Sequence, residues 1–344
     1  MKKVLALLLA LTMVLSVCAA CAKTEEAAAE EKPFKVAVVL GVGGLGDGSY
    51  NDNIWEGFEE IKKMGVDVTC VEPQELAETM TDHMELAKSG EYDVIFGCSV
   101  ECEEAVIAAA KAYPKQQFII INSKLTGYDN ICTFDVSSPQ TVFPMGVLCG
   151  LVTKTNKVGM LIGMDSQLFD DECNAPFIAG VKYVNPDAEV VIKAANSFSD
   201  SNLGKQLTLA LVEEGCDVVF AYAGGTALGT FAATEEADFW AVGGGSNMNS
   251  LAPDKTIASG YYSYAPLVVL YTKMAMEGTL PQGVSIAGLK EGAVGYTFEG
   301  SNVELEQQVK DKLADTCQKV IDGVVTVPTT WDMLEDTIAA NAGK

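Results

Sequence analysis

Three glycines, Gly41, Gly43 and Gly46, follow an apolar run in KVAVVLGVGGLGDGSYNDNIWEGFEEIKKMG and are spaced as G-x-G-x-x-G. In a dinucleotide-binding loop the third glycine opens a helix whose N-terminus faces the pyrophosphate. Here DGSYNDN intervenes before the helical pattern, and Ser49 with Asp52 three places on resembles a capping box, so a helix is expected from near Tyr50. Glu72 closes the next strand, where a ribose-binding acid would belong. The loop is nonetheless too long for the fingerprint, and its glycines read better as letting the backbone approach a ligand or a facing lobe.

Other residues capable of chemistry are sparse. The single histidine, His83, lies in LAETMTDHMELAKSG in register with Leu76, Met80 and Ala87, as a packed or surface helix residue would. Of ten cysteines, only Cys98 and Cys102 form a close pair beyond the N-terminus, and C-x₃-C without a nearby histidine is a weak metal signal. Most others sit in apolar runs, which favours buried free thiols, with disulfides or a metal as alternatives. No nucleophile and base, metal set or catalytic histidine comes together, so an enzyme is disfavoured and no cofactor is implied.

The N-terminus, MKKVLALLLALTMVLSVCAAC, places two lysines before an apolar run and small residues before a cysteine, the layout of a secretory signal. Ala19 and Ala20 ahead of Cys21 resemble a lipobox, so Cys21 is the expected site of lipidation, with Cys18 the alternative. AKTEEAAAEEKP then reads as a flexible tether. A diacyl anchor would hold the body at the extracytoplasmic face of the cell membrane. A formal net charge of −24 argues against nucleic acid and against adsorption to anionic lipid.

The elements that must position any site repeat once. KVAVVLG at Lys35 is echoed by KVGMLIG at Lys157, YDVIFGCS by CDVVFAYAGG, and FIIIN by FWAVGG, at an offset of about 122 residues. Each apolar run reads as a strand buried on both faces. Between them lie helical patterns, with Ile54, Phe58 and Ile61 on one face of the first. Strand–helix alternation in two copies predicts an α/β fold of two doubly wound parallel-sheet lobes. Ligands of such sheets sit beyond the carboxyl ends of the strands, here in the loops after Leu40, Phe96, Ile121, Ile162, Phe220 and Val242.

VVLGVGGLGDGSYNDNIWEGF, LIGMDSQ, GVKYVNPDAEV, NSFSDSNLGKQLTLAL and AYAGGTALG together resemble the basic membrane protein family, lipoprotein substrate-binding components of ABC importers related to a purine nucleoside receptor. The resemblance runs from about Lys35 to Gly295. It implies the type I periplasmic-binding-protein fold, with two lobes that hinge shut on a ligand. The implied layout is a signal peptide over 1–21 and a tether over 22–33. Lobe 1 spans 34–136 with a return over roughly 256–296, and lobe 2 spans 137–255 with roughly 297–344.

The family's D-x-S-F-N motif matches Asp47, Ser49, Tyr50 and Asn51, with tyrosine in place of phenylalanine. The resemblance implies that acid and amide bond the purine edge while Tyr50 and Phe198 stack on its faces, and that Gly224 and Gly225 lie near the sugar. Phe169 is a second cleft candidate, and Asp165 reads as a cap. Where the family has acids this chain carries Asn122 and Gly245, and Tyr262 falls near the family's lysine. A carboxylate accepts two sugar hydroxyls and glycine cannot. The expected ligand is therefore a nucleoside, nucleobase or related flat heteroaromatic compound, not necessarily with an unmodified ribose. The resemblance implies a monomeric, non-enzymatic receptor partnered by an ABC permease and ATPase. A lipoprotein sensing the ligand for a membrane partner is the alternative.

Overall fold

Short apolar runs such as VIFGC and QFIII become strands with both faces buried, because helices cover each side of the sheet to which they belong. The computed structural model describes residues 32–42, 44–46 and 50–344. Within it Lys35–Lys344 forms one unit containing two sheets. In spatial order the first holds β2 (Asp67–Val71), β1 (Lys35–Val39), β3 (Val94–Cys98), β4 (Gln117–Ile121), β5 (Ile131–Val136) and β11 (Gly283–Ala287). All its pairings are parallel. The second holds β7 (Glu189–Ala194), β6 (Lys157–Ile162), β8 (Val218–Tyr222), β9 (Trp240–Gly245), β10 (Thr256–Tyr262) and β12 (Val294–Thr297). There only β12 runs antiparallel to its neighbour.

Strands β6 to β10 occupy in the second sheet the places that β1 to β5 occupy in the first, so the sequence repeat is a repeat of lobes. This relation also moves a boundary. The expected return to lobe 1 near 256 falls instead after Tyr262, because β10 is the fifth strand of the second copy and pairs with β9. Likewise β12 joins the second sheet, so the last crossing precedes Val294.

The chain passes between the lobes three times: after β5, after β10, and between β11 and β12. Backbone bonds from Ser137 to Ala287 (2.8 Å) and from Ser263 to Ala293 (2.7 Å) tie these crossings together. Leu289 N–H donates to Gln140 Oε1 at 2.9 Å. Adjacent crossings bonded in this way can twist as one hinge while each lobe keeps its own core.

The first helix does begin at Tyr50 and runs to Lys63, burying Ile54, Phe58 and Ile61 as its apolar spacing predicts. Glu72 is not free to grip a ribose, since its Oε2 accepts the Leu45 N–H at 2.8 Å and holds the glycine loop. His83 is buried in the helix Glu78–Ser89, and its Nδ1 lies 2.7 Å from the Thr79 carbonyl. A carbonyl only accepts, so Nδ1 carries the proton. Burial pushes the His83 pKa down. The eight cysteines among the described residues are free thiols, and seven of them are buried. Burial pushes Cys102 up to about 12 and Cys70 to about 11, which keeps both protonated and poorly nucleophilic. Among the described residues no helix is long and apolar enough to cross a membrane.

Candidate functional site

Strand ends converge on a cavity of about 940 Å³ between the lobes, within the range of small-molecule sites. Lobe 2 contributes most of the wall: Phe169, Phe198, Tyr222, Gly224, Gly225, Leu228 and the Gly244–Leu251 turn. Lobe 1 contributes Asp52, Asn53 and Glu56 from the first turns of its opening helix, and Tyr262 lies where β10 leaves for the crossing.

Close backbone approach explains how the rings lie. A Cβ at Gly163 would stand 2.1 Å from Phe198 Cε1, so the phenyl ring rests directly on the end of β6. Phe198 stays 48% exposed, with Phe169 beside it at a centroid distance of 6.0 Å. Its loop is fastened by Thr226, whose hydroxyl donates to the Ser197 carbonyl and accepts the Asp200 N–H, both at 3.0 Å. At Gly244 a Cβ would meet Tyr222 Cδ2 at 2.7 Å and Phe220 at 2.8 Å. These two rings stack at 5.9 Å against the glycine strand, and Tyr222 turns towards the cavity. Tyr222 and Tyr262 both come within 4 Å of the space a Cβ would take at Gly245. Desolvation by burial holds the Tyr222 pKa well above the ordinary phenol value, so the ring is neutral.

Behind the lobe 1 wall the polar side chains are interconnected. Asn51 is buried and its Oδ1 accepts the Gly41 N–H at 2.9 Å. Asn122, in the left-handed region at φ 57°, donates from Nδ2 to Asp135 Oδ1 at 2.9 Å. The same oxygen accepts the Val136 N–H at 2.8 Å and the Tyr264 hydroxyl at 3.1 Å. Tyr50 meets Tyr264 edge to face at 5.7 Å, and its buried hydroxyl has no hydrogen-bond partner among the described residues.

Of the residues that the sequence singles out, Phe198, Gly224, Gly225, Gly245 and Tyr262 therefore line the cavity. Asn51 and Asn122 are engaged within lobe 1. Tyr50, the expected second plate opposite Phe198, does not line the cavity, because a ring at the first helical position folds back into the space between Gly41 and Tyr264. The other rings of the described wall are Phe169, Tyr222 and Tyr262. Asp47, Ser49 and Cys21 lie outside the described residues.

Sequence reasoning missed Tyr222, Asn53, Asp135 and Tyr264. Tyr222 ends a repeated strand in a loop already flagged as ligand-facing, so position within the repeat was a usable signal. Nothing local marks Asn53, whose Nδ2 donates to the Tyr262 carbonyl at 3.4 Å and whose Oδ1 accepts the Tyr264 N–H at 2.9 Å. Across the cleft Lys124 of lobe 1 pairs with Glu172 of lobe 2.

Two lobes of mainly parallel sheet joined by three crossings, with a cavity between them, are the architecture of the periplasmic-binding-protein type I fold. The chain belongs to the Bmp family, ABC transporter substrate-binding proteins of the PnrA-like kind, whose model matches residues 34–330. It is 30% identical to a CD4+ T-cell-stimulating antigen of Listeria monocytogenes, over 86% of this chain and 88% of the relative. It is 28% identical to the ABC transporter nucleoside-binding protein BmpA of Lactococcus lactis, over 86% and 89%. In fold it resembles a solute-binding protein of an Aeropyrum pernix ABC transporter system, at a TM-score of 0.71 and 24% identity, covering 90% of this chain and 98% of that one.

Proposed function

We propose that this chain is the membrane-tethered receptor of an ABC importer and that it captures a flat heteroaromatic ligand, a nucleoside or a nucleobase-like compound, by closing its lobes. The observation that carries this reading is the ring-lined interlobe cavity, with Phe169, Phe198, Tyr222 and Tyr262 in its wall. Offset or edge-on aromatic contacts reward a planar guest. The BmpA relative's name, a nucleoside-binding protein, points the same way. A ligand touching Asp52 or Asn53 and Phe198 together favours the closed arrangement by its differential affinity for it. The Lys124–Glu172 pair adds to closure without selecting a ligand. Cys21 serves as the lipid anchor in this reading.

Small-angle scattering with and without nucleosides tests this function, combined with mass spectrometry of any compound that co-purifies. A ligand-dependent decrease in radius of gyration and a bound heteroaromatic compound are the expected results. A bound sugar or peptide, or no compaction with any heteroaromatic ligand, would overturn it.

A further inference from the structure

The aromatic rings of the described cavity wall fall into two pairs. Phe169 and Phe198 lie together at a centroid distance of 6.0 Å, with Phe198 resting on Gly163 just beyond the end of β6. Tyr222 and Tyr262 flank Gly245, which ends β9. In the sheet β8 separates β6 from β9, so the two supporting strand ends stand about 10 Å apart. A bicyclic base stacked on one pair would leave the other facing water. The cavity has room for a longer guest, since about 940 Å³ is near the upper end of the range for small-molecule sites.

The two ends also differ in chemistry. Phenyl rings offer no hydrogen bond. Leu228, three residues beyond the Gly225 backbone that meets the Phe198 carbonyl, adds apolar surface to the same wall. Phe198 and Leu228 remain 48% and 46% exposed, so an apolar guest would take both from water. The other end sets Ser246 beside two phenol rings, a more polar setting that suits the edge of a base. Building on the receptor function above, we propose that the ligand has two aromatic parts, a heteroaromatic base against Tyr222 and Tyr262 and an apolar aryl group against Phe169 and Phe198. Aryl-substituted nucleosides or bases are then taken in preference to plain ones.

Isothermal titration of the whole protein with adenosine, N6-benzyladenosine and N6-cyclohexyladenosine separates the two parts. The three share one base and sugar and carry respectively no substituent, a flat aryl ring and a saturated ring of similar size. The expected result is that the benzyl form binds tighter than adenosine by about tenfold or more, with the cyclohexyl form between them. Phe169→Ala and Phe198→Ala, their folding checked by thermal melting, should each weaken the benzyl form more than adenosine and so narrow the gap. Adenosine or the cyclohexyl form matching the benzyl form, or a gap that survives both substitutions, would overturn the aryl assignment while leaving the heteroaromatic receptor intact. Failure of all three to bind would overturn it as well, and the receptor function would then rest on the scattering and mass spectrometry above.

Discussion

Asn53 and Tyr264, separated by 211 positions in the chain, are joined by a 2.9 Å bond from the Tyr264 N–H to the Asn53 carboxamide oxygen. The same carboxamide donates to the carbonyl of Tyr262, so one side chain couples the ligand-facing helix of lobe 1 to the segment leaving β10. Cleft and hinge are thus joined by this side chain as well as by the Tyr50–Tyr264 ring contact. Substituting Asn53→Ala should destabilise the fold by about 1–3 kcal/mol, because both backbone groups lose their partner in a half-buried site. Urea denaturation checks this. A loss below about 0.5 kcal/mol would mean that water replaces the side chain without cost.

The Tyr50 hydroxyl has no hydrogen-bond partner among the described residues, and desolvation raises its pKa well above the phenol norm. Tyr50→Phe should therefore leave stability unchanged or raise it by up to about 1 kcal/mol. If the hydroxyl instead serves the ligand, affinity will fall while the melting temperature holds. Paired calorimetry and melting on the one variant distinguish the two.

Phe198 should divide binding from stability. With the ring 48% exposed, Phe198→Ala should cost the free protein less than about 1 kcal/mol. Loss of ring stacking should weaken a heteroaromatic ligand by about 1–3 kcal/mol. Gly163→Ala should mimic it, since the added methyl would occupy the place where the ring rests. Equal affinity of both variants and the parent would show that the ligand does not touch this ring.

The chain's single histidine offers a clean pH test. Burial lowers the His83 pKa below 6.5, so the native state stays neutral where the unfolded chain takes up a proton. Stability from this group is intact above the unfolded value and is lost as pH falls through it. Between about pH 7.5 and pH 5.5 the parent should lose stability relative to His83→Gln, by at most about 1.4 kcal/mol per pH unit. Parallel urea curves at several pH values measure the difference, and identical slopes would refute it.

Much of the architecture was legible because it depends on local patterning. Apolar runs of strand length, repeated in order, required two lobes of parallel sheet, and the spacing of Ile54, Phe58 and Ile61 named the buried face of the first helix. The extra residues after Gly46 placed the helix start at Tyr50 and removed the dinucleotide loop. Phe198, Gly224, Gly225, Gly245 and Tyr262 were found by motif and do line the cavity.

What the amino-acid order settled by itself was therefore the lobe, its duplication and which strand ends could face a ligand, since periodicity and turn chemistry act between near neighbours. The tertiary structure alone decided how those ends combine. It turned Tyr50 into an edge contact with Tyr264, gave Asp135 its three donors and brought Asn53 beside the crossing strand. Those relations join residues far apart in sequence, and only the packing of two lobes around three crossings brings them within hydrogen-bonding or van der Waals range.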